Sequence, residues 1–299
     1  MQYYQPTIGY RILKHRILYL LILPTFVLLA IFNYTPATSA LINAFYRWNG
    51  GEIREFIGLR NFIHLFQDRV LIASAGNLVK LILANVLIAL TVPLLVAELI
   101  YNLRNKRAQY WFRVLFVIPM VIPGLVIILI WQIIYNGDIG LINQFLKVIG
   151  LEHIQTAWLG NPDTALYAIV FMGFPWVGSI NLLIYYAGLQ DIPRELFDAC
   201  KVDGARFIQR FLHIDVPMII GQIRLLLILS IIGTMQGFQH ILIMTRGGPG
   251  STTMVPSLWM YQMGFGQGKL GYATAIGVVL FIIIFILTFI NMRFVRIEK

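Results

Sequence analysis

Uncharged apolar stretches alternate with short polar segments along almost the whole chain. A helix needs about 20 apolar residues to cross a bilayer, and five stretches without Asp, Glu, Lys or Arg reach that length. A sixth, 81–97, is shorter, but Lys80 and Glu98 bracket it with long side chains that can extend to the interface. The pattern therefore predicts an all-α membrane protein with six transmembrane helices, at about residues 17–34, 79–100, 113–136, 164–187, 217–242 and 270–292.

The segments between the predicted spans contain signals for shorter elements. Tyr34, Thr35 and Pro36 are expected to end the first span early. In the second outer loop, the apolar residues between 139 and 149 have the spacing of a short amphipathic helix at the interface. In the third outer loop, the Gly-Gly-Pro-Gly run at 247–250 predicts a turn.

Positive charge is divided unevenly between the two sides of the predicted membrane region. Six spans place both termini on one side, whose segments contain 15 of the 23 Lys and Arg residues, against 7 on the other side. Cytoplasmic segments carry the excess of Lys and Arg. We therefore expect a cytoplasmic N-terminal segment 1–16, a permease domain 17–292 with a cytoplasmic loop 188–215, and a cytoplasmic tail 293–299. The first apolar run exceeds the 7–15 residues of a signal peptide, so we expect it to stay uncleaved.

The composition agrees with a membrane protein. The 299 residues are 59% hydrophobic and 12% charged, whereas soluble domains have about 45–50% apolar and about 25% charged residues. The net charge of +10 would suggest a nucleic-acid partner in a soluble protein. Here the uneven distribution across the membrane explains most of it, so we expect membrane lipid and no nucleic acid as a partner.

The cytoplasmic loop 188–215 is too long for a simple connection and contains five of the 13 acidic residues. Pro193 and Glu195 form a typical helix start, and Gly204 is a typical stop. A helix, a turn at Gly204 and a second short helix are therefore predicted, with Pro217 opening the fifth span. This half-apolar hairpin could lie on lipid or dock on a soluble partner. Its carboxylates disfavour an anionic lipid surface, and we favour docking.

The same loop contains a recognisable signature. It places the following residues at fixed spacing: Asp198, Ala199, Cys200, Gly204, Ile214 and Pro217. This resembles the cytoplasmic E-A-A-x₃-G-x₉-I-x-L-P signature of binding-protein-dependent ABC importer permeases. Asp198, Cys200 and Val216 replace Glu, the second Ala and Leu, and each keeps the charge, small size or aliphatic character of the residue it replaces.

Further motifs extend the resemblance over about residues 20–290. They include Leu23-Pro24, the run Gly58-Leu59-Arg60-Asn61-Phe62, and Thr245-Arg246-Gly247-Gly248-Pro249 after the fifth predicted span. Together they are similar to the sugar permeases of the maltose and glycerol-3-phosphate (MalF/UgpA) kind.

The resemblance implies a type I importer permease in a prokaryotic plasma membrane. It implies three kinds of protein partner: a second homologous permease, two ATPase subunits that hold ATP and Mg, and an extracytoplasmic solute-binding protein. The loop would couple to the ATPase through Asp198, Ala199, Cys200, Gly204, Ala205, Ile214 and Pro217. The chain has no G-x-x-x-x-G-K-[ST] phosphate loop and no zinc motif, so we expect no catalytic residue, metal or cofactor in it.

Few ionisable residues lie inside the predicted spans, which disfavours ion-coupled transport. His240 lies near the outer end of the fifth stretch. A sugar or polyol moved by alternating access would meet neutral polar and aromatic groups. The candidates for its path are Asn85, Trp176, Gln236 and Gln239. Gln236, Gln239 and His240 are expected on one helical face, and hydrogen bonding between helices is the alternative role for each candidate.

Two other classes of function are weaker. A carrier that works alone, either ion-coupled or facilitative, would also need six apolar spans. An intramembrane hydrolase could use Ser179 and His240, but no G-x-S-x-G motif surrounds Ser179.

Overall fold

The computed structural model describes residues 14–294 and is mostly helical. Most of the two predicted cytoplasmic tails lies outside the described residues. Four helical segments are long and apolar enough to cross a membrane: Arg16–Asn43, Arg69–Tyr101, Ile220–Met244 and Leu270–Arg293. A fifth crossing arises if the bent pair Lys106–Val121 and Gly124–Ile134 is counted as one span. Six crossings therefore remain a prediction.

The elements follow one another in a fixed order. The first half contains α1 (Arg16–Leu29), α2 (Thr35–Asn43), β1 (Tyr46–Trp48), β2 (Arg54–Phe56), α3 (Arg60–Leu65), α4 (Arg69–Tyr101), α5 (Lys106–Val117), α6 (Gly124–Ile134) and α7 (Leu141–Val148). The second half contains α8 (Ala165–Phe171), α9 (Ser179–Gln190), α10 (Arg194–Val202), α11 (Phe207–Arg210), α12 (Val216–Met218), α13 (Ile220–Gln236), α14 (Gln239–Met244), α15 (Pro256–Tyr261) and α16 (Leu270–Phe294).

The first span is longer than predicted. Helix α1 continues through a π-helical turn, Ala30–Tyr34, into α2. The Thr35 hydroxyl donates to the Ala30 carbonyl at 2.8 Å, which satisfies an acceptor within this wider turn. The expectation that Tyr34, Thr35 and Pro36 end the helix is therefore wrong, because the π turn accommodates Pro36 without a break.

The third and fourth predicted spans are interrupted. The segments Lys106–Val121 and Gly124–Ile134 meet at 91°, and Pro123 lies at the bend as the N-cap of α6. The fourth span consists of α8 and α9, of 7 and 12 residues, separated by residues 172–178. A continuous helix over 164–187 is therefore a wrong prediction. Gly173 in the connection has a φ of 90°, which is outside the helical region.

Helix α4 is the central element of the packing. It begins at Arg69, ten residues before the predicted start, so that Lys80 lies inside the helix. It packs against α9 and α13, and also against α8 and α15 nearer its N-terminal end. The contact near the C-terminal end of α4, on the predicted cytoplasmic side, buries a cluster that includes Leu94, Leu182, Tyr185, Leu189 and Leu226.

The predicted outer side contains small elements between the long helices. Strands β1 and β2 form an antiparallel hairpin with Tyr46 opposite Phe56, which no sequence signal predicted. The predicted amphipathic helix is present as α7, and the predicted turn at 247–250 has positive φ at Gly247 and Gly250. Helix α15 was missed, because its six residues are too short to show a helical period.

The carboxylate of Asp68 joins three helices at the outer side. One oxygen accepts the Val70 and Leu71 N–H groups and caps α4. The other accepts the Trp259 indole N–H and the Tyr272 hydroxyl, each at 2.7 Å. Burial by itself raises the pKa of Asp68, but these four hydrogen bonds to the charged form outweigh it and hold the pKa below 3.8.

Replacing Trp259 with Phe tests this junction. Phe keeps an aromatic ring, although a smaller one, but a hydrogen bond to a charged acceptor is lost, which we expect to cost about 1.5–3 kcal/mol of stability. The measurement is thermal unfolding of the purified chain in detergent. Since the folded-state pKa of Asp68 is lowered, its contribution should be complete above about pH 4 and should decrease as the pH falls below 3.8.

The matched control is Trp111→Phe, since Trp111 is 66% exposed and its indole has no hydrogen-bond partner among the described residues. Equal unfolding temperatures for the two variants at neutral pH would show that the hydrogen bond from Trp259 to Asp68 contributes nothing to the stability of the folded chain.

Candidate functional site

The hairpin in the predicted cytoplasmic loop has the predicted local structure. Helix α10 begins directly after Pro193, with Glu195 in its first turn. It ends where Gly204 adopts a φ of 67°. The Ala205 N–H donates to the Cys200 carbonyl at 2.9 Å and the Gly204 N–H to the Lys201 carbonyl at 3.2 Å. This is the Schellman pattern, which requires a left-handed residue at the position of Gly204.

The signature residues separate into two groups. Cys200, Gly204, Ala205 and Ile214 line one concave site of about 370 Å³ between the two helices of the hairpin. Asp198 and Ala199 lie on the exposed side of α10, and Pro217 lies beyond the hairpin in α12. The spacing of the signature thus serves two purposes, a tightly closed turn and an exposed face.

Asp198 is paired within its own helix. Lys201 Nζ lies 2.8 Å from Asp198 Oδ1, and both side chains are mostly exposed. The hydrogen bond and the charge of Lys201 hold the pKa of Asp198 below its usual value. Because exposed ion pairs contribute little to stability, Asp198 can exchange this partner for another cation.

The exposed surface of the hairpin is partly apolar. Val202 is 88% exposed at the end of α10, and Ile208 and Leu212 after the turn are 67% and 55% exposed. Contiguous apolar side chains on a polar surface mark sites that contact a partner or lipid. The prediction of a half-apolar hairpin is therefore confirmed.

Arg210 is a prominent residue that sequence reasoning missed. It follows the Gly204 turn and forms ion pairs with Glu98 at 2.6 Å and Asp215 at 3.0 Å. Glu98 was interpreted only as the end of the second span, although its side chain is 1% exposed. No local pattern could connect Glu98 and Arg210, because they are 112 residues apart in the chain.

Two of the predicted path residues meet in one cavity inside the helical bundle, which is partly open in the single chain. Asn85, Trp176 and His240 line a space of about 340 Å³ between α4, the α8–α9 connection and α14. The Asn85 amide donates to the Thr234 hydroxyl at 3.1 Å, and the Trp176 indole N–H donates to the Val170 carbonyl at 3.2 Å. Both residues thus have a structural bond and also face the cavity.

Aromatic rings surround the backbone break beside this cavity. Trp176 has a φ of 58°, which is uncommon for a residue other than glycine. Its ring packs edge-on against Phe171 and Phe174, with centroids at 5.3 and 5.1 Å. This packing holds Trp176 in a backbone conformation that it would not adopt by itself.

The other two path candidates do not lie in this cavity. Gly237 and Phe238 interrupt the helix, so Gln236 ends α13 and Gln239 begins α14. The expectation that these glutamines and His240 share one helical face is therefore wrong. Both glutamines are exposed in the single chain, whereas His240 is partly buried.

The groups considered for hydrolysis have other bonds. The Ser179 hydroxyl donates to the Phe116 carbonyl at 2.7 Å and thereby ties the start of α9 to α5. Among residues 14–294, no group of three or more His, Cys, Asp or Glu side chains could hold a metal ion.

The sequence relationships agree with this geometry. A family model described as "Binding-protein-dependent transport system inner membrane component" matches residues 89–296, which is more than half of the chain. The chain belongs to this family. It is therefore a transport permease subunit and not an enzyme.

Two relatives match this permease over most of their length. It is 34% identical over 284 residues to the "Probable ABC transporter permease protein YurN" of Bacillus subtilis, covering 94% of this chain and 96% of that protein. It is 28% identical over 269 residues to the "Multiple sugar-binding transport system permease protein MsmF" of Streptococcus mutans, covering 89% and 91%.

A solved structure confirms the fold. The permease matches a chain of a bacterial alginate ABC transporter, crystallised in complex with an alginate pentasaccharide-bound periplasmic protein, with a TM-score of 0.84 and 22% identity over 95% of each chain. The architecture is thus that of the type I ABC importer permeases, as the sequence predicted.

The turn at Gly204 can be tested apart from side-chain contacts. A Cβ at this position would meet no atom within 4 Å, so only the positive φ resists substitution. Asn tolerates this conformation and β-branched residues do not. We expect Gly204→Asn to leave the hairpin resistant to limited proteolysis in membranes and Gly204→Val to expose it. Equal cleavage of the two variants would contradict the assigned role of the turn.

Proposed function

We propose that this permease forms half of the translocation path of an ATP-driven importer for a sugar or related polyol, working by alternating access. The observation that carries the coupling proposal is the cytoplasmic hairpin, which presents apolar side chains beside Asp198 at the signature spacing. Family membership supports a binding-protein-dependent system. Since the chain has no phosphate loop, two separate ATPase subunits would hold ATP and Mg.

The hairpin is rigid enough to be displaced as a unit by a soluble subunit that binds it. Its two helices are joined by a closed turn with two main-chain hydrogen bonds. Apolar side chains such as Val202 and Ile208 would fill a cleft of the ATPase, and Asp198 would pair with a cation there. Closure of the ATPases on ATP would then displace the hairpin, and the helices attached to it would change the side to which the path opens.

A neutral carbohydrate fits the internal cavity better than an ion. Asn85 and Trp176 offer an amide and an indole ring, and His240 is the only ionisable residue in the lining. The name of the relative MsmF refers to multiple sugars, which supports the same class of solute.

The remaining assignments concern topology and partners. The charge asymmetry supports cytoplasmic termini in a prokaryotic plasma membrane, with the permease domain at 17–292 and the coupling loop at 188–215. None of the residues in the most apolar window of the first span is buried. That span is therefore available to lipid or to a second homologous permease, and the exposed Gln236 and Gln239 would face the shared path. A solute-binding protein would deliver the solute from outside.

Co-purification distinguishes this proposal from a carrier that works alone. A tagged chain extracted from its native membrane in mild detergent should retain subunits that hydrolyse ATP. Transport by the chain alone, with no ATPase attached, would contradict the importer assignment.

Val202 tests the docking face. Val202→Glu adds a charge to the apolar surface, and we expect most of the co-purifying ATPase activity to be lost while membrane insertion is unchanged. The matched control is Val148→Glu, since Val148 is 84% exposed and also ends a short helix, but on the predicted outer side. Retained ATPase with Val202→Glu, or equal loss with both variants, would argue against docking through the hairpin.

Asn85 tests the cavity as part of the path. Asn85→Leu keeps the approximate size but removes a hydrogen-bonding group of about 0.5–1.5 kcal/mol, so apparent solute affinity in uptake assays should fall about two- to tenfold. Thr91→Val is the control on the same helix, because the Thr91 hydroxyl bonds only its own helix, at Leu87. Unchanged apparent affinity for the solute with Asn85→Leu would show that the path does not include this cavity.

A further inference from the structure

We propose that Arg210 is a positioning residue that locks the cytoplasmic hairpin to helix α4, so that a displacement of the hairpin moves α4 directly. The proposed function enters only as the source of the displacement, which would be ATPase closure. Helix α4 is distant in sequence from the hairpin and does not flank it, so this is a second route for the movement beside α9 and α13.

The guanidinium of Arg210 makes three hydrogen bonds. Its Nη2 donates to Glu98 Oε1 at 2.6 Å and to Asn102 Oδ1 at 2.8 Å, and both residues belong to the cytoplasmic end of α4. Its Nε donates to Asp215 Oδ2 at 3.0 Å, at the end of the hairpin. The Asn102 amide in turn donates to Glu98 Oε1 at 2.6 Å. One planar group thus connects the hairpin to α4 through directional bonds.

The burial of the two carboxylates makes this connection difficult to break. The Glu98 and Asp215 side chains are 1% and 0% exposed, and that of Arg210 is 18% exposed. If Arg210 moved away, both carboxylates would lose their cation in a site with little water, which is strongly unfavourable. The hairpin therefore cannot slide along α4 while the ion pairs exist, and the two must move together.

Arg210 also holds the two helices of the hairpin to each other. Its guanidinium lies over the ring of Phe197 in α10, 5.1 Å from the centroid, and over that of Phe207 in α11, at 5.4 Å. Such cation–π contacts are favourable when they are partly desolvated. The helix before the Gly204 turn and the helix after it therefore share one fixed point with α4.

Helix α4 connects this lock to the internal cavity. Glu98 and Asn85 are on the same helix, and 13 residues at 1.5 Å per residue separate them by about 20 Å. Asn85 lines the cavity and bonds Thr234 of α13. A shift or tilt of the inner end of α4 would therefore change the cavity wall without passing through the broken α8–α9 segment.

The mechanical part of the proposal can be measured on the full chain alone. Spin labels are placed at Leu99→Cys in α4 and Val202→Cys in α10, at side chains that are 64% and 88% exposed, in a Cys200→Ala background that removes the single native cysteine. In lipid nanodiscs we expect one narrow distribution of distances between the labels. Arg210→Lys, which lacks the planar fork, and Arg210→Gln should both broaden it.

Arg107→Gln is the control for loss of one positive charge, because Arg107 is exposed and its side chain has no partner among the described residues. A distribution that stays narrow with Arg210→Gln, or one that broadens equally with Arg107→Gln, would overturn the lock.

The functional part needs the assembled transporter in proteoliposomes. We expect Arg210→Lys to keep the bound ATPase and its hydrolysis but to transport about tenfold less solute per ATP. Since Arg210→Gln leaves two buried carboxyl groups without a cation and could misfold, a neutral variant combining Arg210→Gln, Glu98→Gln and Asp215→Asn serves as the second test. It should fold and show the same low ratio.

A wild-type ratio of transport to hydrolysis in Arg210→Lys and in the neutral triple variant would refute the coupling role. Failure of the proposed function is distinguishable, since the wild-type chain would then retain no ATPase while the label distances would still decide whether the lock exists.

Discussion

A hydrogen-bonded carboxylate fixes each end of the helix on which the rest of the permease packs. At the outer end of α4, Asp68 accepts two main-chain N–H groups and the side chains of Trp259 and Tyr272. At the inner end, Glu98 binds Arg210 of the hairpin. A carboxylate that is withdrawn from water, completely at Glu98 and partly at Asp68, needs partners of defined geometry. These two sites therefore determine which elements meet α4 and in what position. The apolar contacts with α9 and α13 then fill the length between them.

One side of the hairpin is fixed against the rest of the protein, and the opposite side is exposed. The fixed side is held by the Schellman turn at Gly204 and by Arg210. On the opposite side, Asp198, Val202 and Ile208 are exposed to solvent, where a soluble subunit could contact them. Transmission of force between two proteins requires an apolar contact surface on a rigid support, since a flexible loop would deform and would not pass the movement on.

Breaks in the helices create the internal cavity. A continuous bundle of apolar helices would close on itself and leave no space for a polar solute. The break at residues 172–178 and the interruption at Gly237 and Phe238 turn Trp176 and His240 toward Asn85 instead. Irregular backbone at membrane depth is tolerated where it lines a cavity inside the protein. The breaks in the helices and the cavity therefore occur at the same place in the structure.

Local signals were sufficient for much of this molecule. Uncharged runs marked the long helices, because their apolar character extends over about 20 adjacent residues, and Pro193 and Gly204 marked the ends of α10, because caps act within one turn. The same local reasoning failed at Pro36, which a π turn accommodates, and over 164–187, where an uncharged run is broken between two helices.

Only the tertiary structure decided which distant polar groups meet. Trp259 lies 191 residues from Asp68, and Arg210 lies 112 residues from Glu98. No spacing rule spans such separations, since these pairs depend on how whole helices pack. The sequence by itself therefore determined the class of protein and its cytoplasmic hairpin, whereas three-dimensional packing determined how that hairpin is connected to the cavity.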